Sequence, residues 1–298
     1  MKSKSLTRRT LIKNSALAAI GSSLFFSLPQ HVFGRSGGTG KTKVILIRDE
    51  DVLVDGIHNK EVLQDMLDKA LRELTGESSA DSAWNKILKP KDVLGIKTNV
   101  WYNLRTPEEL EQVIQEKAEK VGISRQNIAV SDRGVLNDPV FQKSTALINV
   151  RPMRTHAWSG VGSLIKNYIM FDPVPSSYHA DSCADLATLW TLPRVAGKTR
   201  LNILLMLNPL FHGVGPHHFN KQFTWEYKGM LVGFDPVAVD SVGLRILQAK
   251  RREYFGQDQP LNPPAKHILL ADTRHHLGTA DPDKIELVKM GWKEDLLL

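Results

Sequence analysis

KVILIRDEDVLVDGIHNKEVLQDMLDKALREL, residues 43–74, decides how the rest of the chain is read. KVILIR (43–48) is a short, β-branched apolar run of the kind that forms a buried strand. From His58 to Leu74 the apolar residues Val62, Leu63, Met66, Leu67, Ala70 and Leu71 recur at helical spacing. A strand followed by an amphipathic helix is the opening of an α/β layer structure.

The same alternation continues downstream. VLGIKTN (93–99) predicts a second strand, and Pro107 opens a helix through Val121 whose first turn is acidic, as the helix dipole favours. NIAVSD (127–132), ALINV (146–150), LNILLMLN (201–208) and GMLVGF (229–234) read as further strands, and KHILLAD (266–272) as a last one. Pro236 begins a helix with Val239, Val242, Leu244, Ile246 and Leu247 facing inward, and Asp235 stands at its N-cap position. Asp240, one turn on, is placed to reach either core or cleft. The expectation is a largely parallel sheet flanked by helices, in a single α/β domain over 35–298. A loop-rich insertion, about 151–200 with Pro152, Pro173, Pro175 and Pro193, covers the carboxyl end of the strands.

Residues 1–34 read separately. Lys2 and Lys4 lead into TRRTLIK (7–13), then an apolar stretch too short and too rich in small residues for a comfortable membrane span. Arg8 and Arg9 resemble the twin-arginine export signal. A Sec signal or a retained anchor is the alternative. The expectation is cleavage after Gly34, a periplasmic or otherwise exported protein, the twin-arginine translocase as a partner, and no transmembrane segment in the mature chain. The formal charge of +7 does not indicate nucleic acid. The segment holds Lys2, Lys4, Arg8, Arg9 and Lys13 with no acid, and without it the chain is close to neutral. SGGTGKT (36–42) departs from a phosphate loop, since Arg35 stands where its first glycine belongs and a strand follows it. One cysteine, Cys183, permits neither an internal disulfide nor a cysteine-ligated iron–sulfur cluster, and reads as a small buried apolar residue.

Ligands of open α/β sheets gather beyond the carboxyl ends of strands. Lys97 and Asp132 stand at two such ends and make a believable cleft. RPMRTHAWSGVGSLIKN (151–167) reads as the loop beyond a third. Gly160 and Gly162 would let backbone approach a ligand, and Ser163 would cap a short helix bearing Lys166 and Asn167. Arg151, Arg154 and Lys166 would favour a small anion. His156 would titrate near neutral pH or bind metal, and Trp158 could stack on a ring. Surface arginines and a structural histidine are the bland alternative. In FHGVGPHH (211–218), His212, His217 and His218 offer imidazoles for zinc or nickel, at no recognised metal spacing.

LGIKTN, INVRPMRTHAWSGVGSLIKN, HGVGP, GFDPVAVDSVG and LGTADPDKIELV occur in the order and approximate spacing of domain-of-unknown-function family 362, which the chain resembles over about 90–290. Many members are exported by the twin-arginine route. Others carry a ferredoxin-like cysteine cluster, which this chain lacks. Arg151 and Arg154 replace lysines usual in that family, so amine chemistry does not carry over at those positions. No established reaction comes with the resemblance. His156, Lys166 and His179 also resemble a histidine–lysine–histidine series of the lactate racemase family. That similarity implies Lys166 as tether of a nickel-pincer nucleotide, His179 as metal ligand and His156 as acid/base. His212 and His217 complete the metal-ligating residues considered, while Lys97, Asp132, Arg151, Arg154, Gly160, Gly162 and Asn167 would bind the cofactor or substrate. Together these point to an exported metal- or cofactor-dependent enzyme moving a proton or hydride on a small anionic substrate. The alternative is a non-catalytic binding or assembly factor that uses the same cleft.

Overall fold

A computed structural model describes residues 40–213, 215 and 218–298. The export-signal reading, its cleavage point and His217 lie outside the described residues. Ten strands are described: β1 (Thr42–Arg48), β2 (Leu53–Val54), β3 (Ile57–His58), β4 (Leu94–Lys97), β5 (Ile128–Ser131), β6 (Ala146–His156), β7 (Gly160–Gly162), β8 (Thr199–Leu210), β9 (Gly229–Gly233) and β10 (Ile285–Gly291). The helices are α1 (Lys60–Thr75), α2 (Ala80–Ile87), α3 (Glu108–Val121), α4 (Pro139–Lys143), α5 (Leu164–Asn167), α6 (Pro236–Phe255) and α7 (Lys266–Thr273). The main sheet has the order β10-β1-β9-β8-β6-β4-β5, with β7 folded back on the end of β6. Its pairings are parallel except around β9, which is antiparallel to β1 and β8, and at the β6–β7 hairpin. The expected α/β class with a mostly parallel, helix-flanked sheet is what forms.

Both faces of the sheet are covered, which is why its strands read as continuous apolar runs. Alternate residues serve different cores. Val44, Leu46, Leu147, Met153, Leu204 and Met206 pack with α5, α6 and α7, whereas Ile45, Ile47, Ile148, Val150, Ile203 and Leu205 pack with α1, α2 and α3. Helix α6 lies so close to β8 that a Cβ on Gly243 would sit 2.4 Å from Leu204 Cδ2. Gly243→Ala is therefore expected to cost about 1–3 kcal/mol by overpacking, read as a lower urea midpoint at unchanged slope. Among the described residues no helix is long and apolar enough to cross a membrane.

Three expectations change. KHILLAD is helix α7, not a strand; its buried residues His267, Ile268 and Ala271 lie on one helical face, and a three-residue apolar run cannot separate the two periods. The last strand is IELVKMG instead. Helix α2, capped by Ser79, was not anticipated. Most consequentially, β6 does not stop at Val150. It continues buried through RPMRTH, so the first part of the supposed loop is strand. Pro152 is tolerated because the β6–β8 register shifts between Pro152 and Arg154, a bulge being one of the few interior places a proline fits.

Asp235 caps α6 as expected, accepting from Val237 N (2.8 Å) and Ala238 N (3.1 Å). It also accepts from Thr279 N at 2.8 Å, with Gly278 against its carboxylate. GFDP and LGTADP thus meet through one aspartate.

Candidate functional site

β4, β5, β6 and α5 bring charged side chains together beneath the surface. Lys97, at the end of β4, is fully buried. Its ammonium donates to Asp132 Oδ1 (2.6 Å), to the Thr98 carbonyl (2.7 Å) and to Asn167 Oδ1 (3.3 Å). Burial pushes the Lys97 ammonium down to about 8, against the pull of Asp132. Burial is the largest influence on the Asp132 carboxylate and opposes its ionisation, but the Lys97 charge and hydrogen bond, the Val100 amide and Arg151 together hold it below the usual range. Both are ionised at neutral pH, and all three Lys97 donors are spent. Asn167 is equally committed: its amide nitrogen lies within hydrogen-bond distance of the Lys97 carbonyl, Asn149 Oδ1 and the Val150 carbonyl. These contacts make Asn167 a tie between α5 and the sheet rather than a ligand-facing group.

Arg151 and Arg154 differ. They lie on either side of the register shift between Pro152 and Arg154, and the charge of Arg151 bears on Arg154. Arg154 donates to Asn99 Oδ1 at 2.9 Å and lies 4.5 Å over the Trp101 ring, leaving its Nε without a partner. Arg151, 4 % exposed, likewise has its Nε without a partner. Burial lowers Arg151 to about 10, and Arg154, crowded further by Arg151, is lowered strongly too.

Lys166 follows on α5. Its position is set by Asp240 of α6, which accepts from Ser163 Oγ (2.6 Å), Leu164 N (2.9 Å) and Ile165 N (2.9 Å). Ser163, expected to cap α5, gives its hydroxyl to Asp240, and the aspartate does the capping. Lys166 is 3 % exposed, with its Nζ 3.4 Å from Cys183 Sγ; burial brings its pKa down to about 8. Cys183 is buried, as expected, but adjoins the amine rather than being one more apolar filler. Asp181, Ser182 and Cys183 all have left-handed backbone, with φ of 48°, 56° and 63°. That conformation costs about 1–2 kcal/mol per residue, and Asp181 also pairs with Lys266 at the surface.

His156 does not titrate near neutrality. Its Nδ1 accepts from Trp158 N (3.2 Å), so the neutral ring carries its proton on Nε2. Burial, then Lys166, Arg151 and Arg154, drive its pKa far below the ordinary histidine value. His179 is half-buried and stacked on Trp158 with ring centres 4.2 Å apart, at the rim of the cluster; burial and Lys166 lower it as well. Trp158 spends its face on His179, not on a ligand.

The two glycines make room for the chain itself. A Cβ on Gly160 would sit 2.6 Å from the Pro263 carbonyl oxygen, and one on Gly162 2.8 Å from Arg151 Nη2. The first contact presses the β6–β7 hairpin on the segment before α7, which carries His267. That residue, missed in the sequence because it lies in an apolar run taken for a strand, is fully buried with neither ring nitrogen partnered. Burial, then Lys166 and Arg151, bring it down to about 3.

The two metal-ligating candidates among the described residues, His179 and His212, do not come together. His212 lies against Arg251, Phe223 and Phe255, and no contact joins it to His179. Among the described residues no three His, Cys, Asp or Glu side chains are grouped to hold an ion. Nickel or zinc finds no ligand set there, and the amine meant to tether a nucleotide is packed against Cys183.

The fold and site therefore define a mixed α/β protein with four buried cations, Lys97, Arg151, Arg154 and Lys166, facing two buried carboxylates, Asp132 and Asp240. Comparison with family models, curated proteins and solved structures gives no match.

Proposed function

We propose that the protein binds a small anionic substrate at this cluster and acts on it as an exported enzyme, with Lys166 moving a proton next to a carbonyl. The observation that carries the reading is the surplus of buried cationic donors. Burying unpaired charge is costly, and Arg151, Arg154 and Lys166 hold N–H groups that no protein acceptor uses. A substrate carboxylate or phosphate supplies both the acceptors and the charge. With a pKa near 8, Lys166 is the group whose protonation suits transfer at neutral pH. Its free-amine fraction takes a proton from the carbon beside the carbonyl, and the resulting ammonium returns it. The acid/base role thus moves from His156 to Lys166. His156 is suited to donate from neutral Nε2–H, as a neutral imidazole does when it polarises a carbonyl. No step is assigned to a metal or a tethered nucleotide.

The blocks resembling domain-of-unknown-function family 362 support the reading, since Lys97, Arg151, Arg154, Lys166, Asp235 and Asp240 all lie in them. Membership of that family, twin-arginine export and a periplasmic location belong to the same proposal and rest on Arg8, Arg9 and those blocks. A binding or assembly factor is the second reading, favoured by how many polar groups of the cluster, Lys97, Asp132 and Asn167 among them, are locked to one another.

Deuterium uptake separates the two. A panel of 2-oxo and 2-hydroxy acids is incubated with the exported protein in D2O and followed by NMR. Lys166-dependent exchange at the carbon beside the carbonyl is the enzyme's signature; Lys166-dependent anion binding without exchange is the binder's. Intact mass and metal content of the same sample test the tether and the metal. Anion affinity is expected to be flat below about pH 8 and to fall above it, as the Lys97 and Lys166 ammonium groups lose their protons. Affinity for sulfate, whose charge is constant over that range, measured by calorimetry from pH 6 to 10, checks the sign.

A further inference from the structure

We infer that the anion site takes a dianionic oxyanion group and that His267 is one of the residues that touches it. The inference rests on the anion-binding reading above and adds a charge class and a residue to it. Four buried cations against two buried carboxylates leave two positive charges uncompensated, so a monoanion would neutralise only half of the excess. Lys97 is not a donor to the ligand, because Asp132, the Thr98 carbonyl and Asn167 already take its protons. Arg151, Arg154 and Lys166 remain, three separate cations around one place.

His267 is the fourth group. It stands on the first turn of α7, which the contact of Gly160 with Pro263–Ala265 brings to the β6–β7 hairpin. Lys166 and Arg151 are the charges that bear on its ring. A histidine with no solvent exposure and two unpartnered nitrogens is an uncommon thing to keep. Buried polar groups in native proteins are nearly all satisfied, and each exception asks for its partner. A neutral imidazole beside two cations has one N–H to give to an oxyanion, and its bare nitrogen can accept from a ligand hydroxyl. Arg151 Nε and Arg154 Nε are unpartnered as well, and Arg151 is one of the two charges that bear on the His267 ring.

The test is calorimetric titration of the full exported protein at pH 7 and fixed ionic strength with sulfate, succinate and acetate. The dianions are expected to bind at least about tenfold more tightly than acetate. Sulfate ahead of succinate identifies a phosphate-type group, and the reverse identifies a dicarboxylate. His267→Phe, which fills the space without an N–H, is expected to weaken dianion binding about tenfold, the effect of one lost hydrogen bond, and His267→Asn to retain part of it. Should the phenylalanine variant not fold, 15N NMR of the wild-type histidine rings gives the same answer through a shift of His267 on adding sulfate. No binding of any of the three anions overturns the underlying anion-site reading. Acetate binding as tightly as sulfate, or full affinity in His267→Phe, or a His267 ring that ignores sulfate, leaves the anion site standing and overturns this inference, with a buried water as the ring's partner.

Discussion

Lys166→Met is expected to yield a more stable protein that has lost its anion. Methionine copies the length of the lysine side chain and sits well among Cys183 and the apolar residues of that core. What it removes is a buried ammonium whose one side-chain hydrogen-bond partner among the described residues is a thiol. The descent of the Lys166 pKa from 10.5 to about 8 measures what keeping that charge in the fold costs. At about 1.4 kcal/mol per unit the ceiling is on the order of 3 kcal/mol, of which urea denaturation at pH 7 should recover a part. The pH dependence has a definite sign. Between about 8 and 10.5 the unfolded chain binds more protons at this position than the folded one, so wild-type stability rises with pH across that window. The rise should be smaller in Lys166→Met, with Lys97 supplying what remains. Sulfate should raise the melting temperature of the wild type and do little for the variant, with affinity reduced by about 1.5–3 kcal/mol, the worth of a charge-assisted hydrogen bond. A variant several kcal/mol less stable than wild type would show that Lys166 is a paired structural cation and that the anion reading has the wrong residue.

Asp240→Asn should act in the opposite direction. The carboxylate receives three donors at the start of α5. An amide offers one oxygen, and its NH2 group would face a backbone N–H. Relief of a buried carboxylate, whose pKa burial raises to about 6, offsets part of the loss. A net cost of about 2–4 kcal/mol is expected, in the range for broken buried hydrogen-bond networks. Because α5 carries Lys166, anion affinity should fall with it even at temperatures where the variant is folded. Ser163→Ala is the control: it removes the hydroxyl donor and leaves both amide bonds to Asp240, so about 1 kcal/mol of stability is lost and affinity is kept. Equal loss of affinity in both variants would place the effect in Ser163 itself.

What the sequence disclosed and what it hid have one physical origin. β1, β4, β5, β8 and β9 are legible because both faces of the sheet are covered and their strands are apolar throughout. β6 is overlooked past Val150 because Arg151, Arg154 and His156 look like solvent-facing loop, although all three are buried. Polarity is a guide to exposure everywhere except where a protein buries charge for a purpose. The same conflict hid His267, whose neighbours Ile268, Leu269 and Leu270 suggested a strand. Lys97, Asp132, Arg151, Arg154 and Lys166 were legible as charged residues near strand ends. That Asn167, Gly160 and Gly162 serve the chain's own packing, and that Asp240 orients Lys166, depends on contacts between segments far apart in sequence, which no spacing rule reports.

β1 is the first of the described strands to be synthesised and one of the last to find its neighbours. Its partners on either side, Gly229–Gly233 and Ile285–Gly291, lie near the other end of the chain. Until they emerge, KVILIR has two open hydrogen-bonding edges, and a chain that stopped before them would leave it as an unpaired apolar ribbon. The strand order thus makes closure of the sheet's β1 edge depend on segments near the far end of the chain.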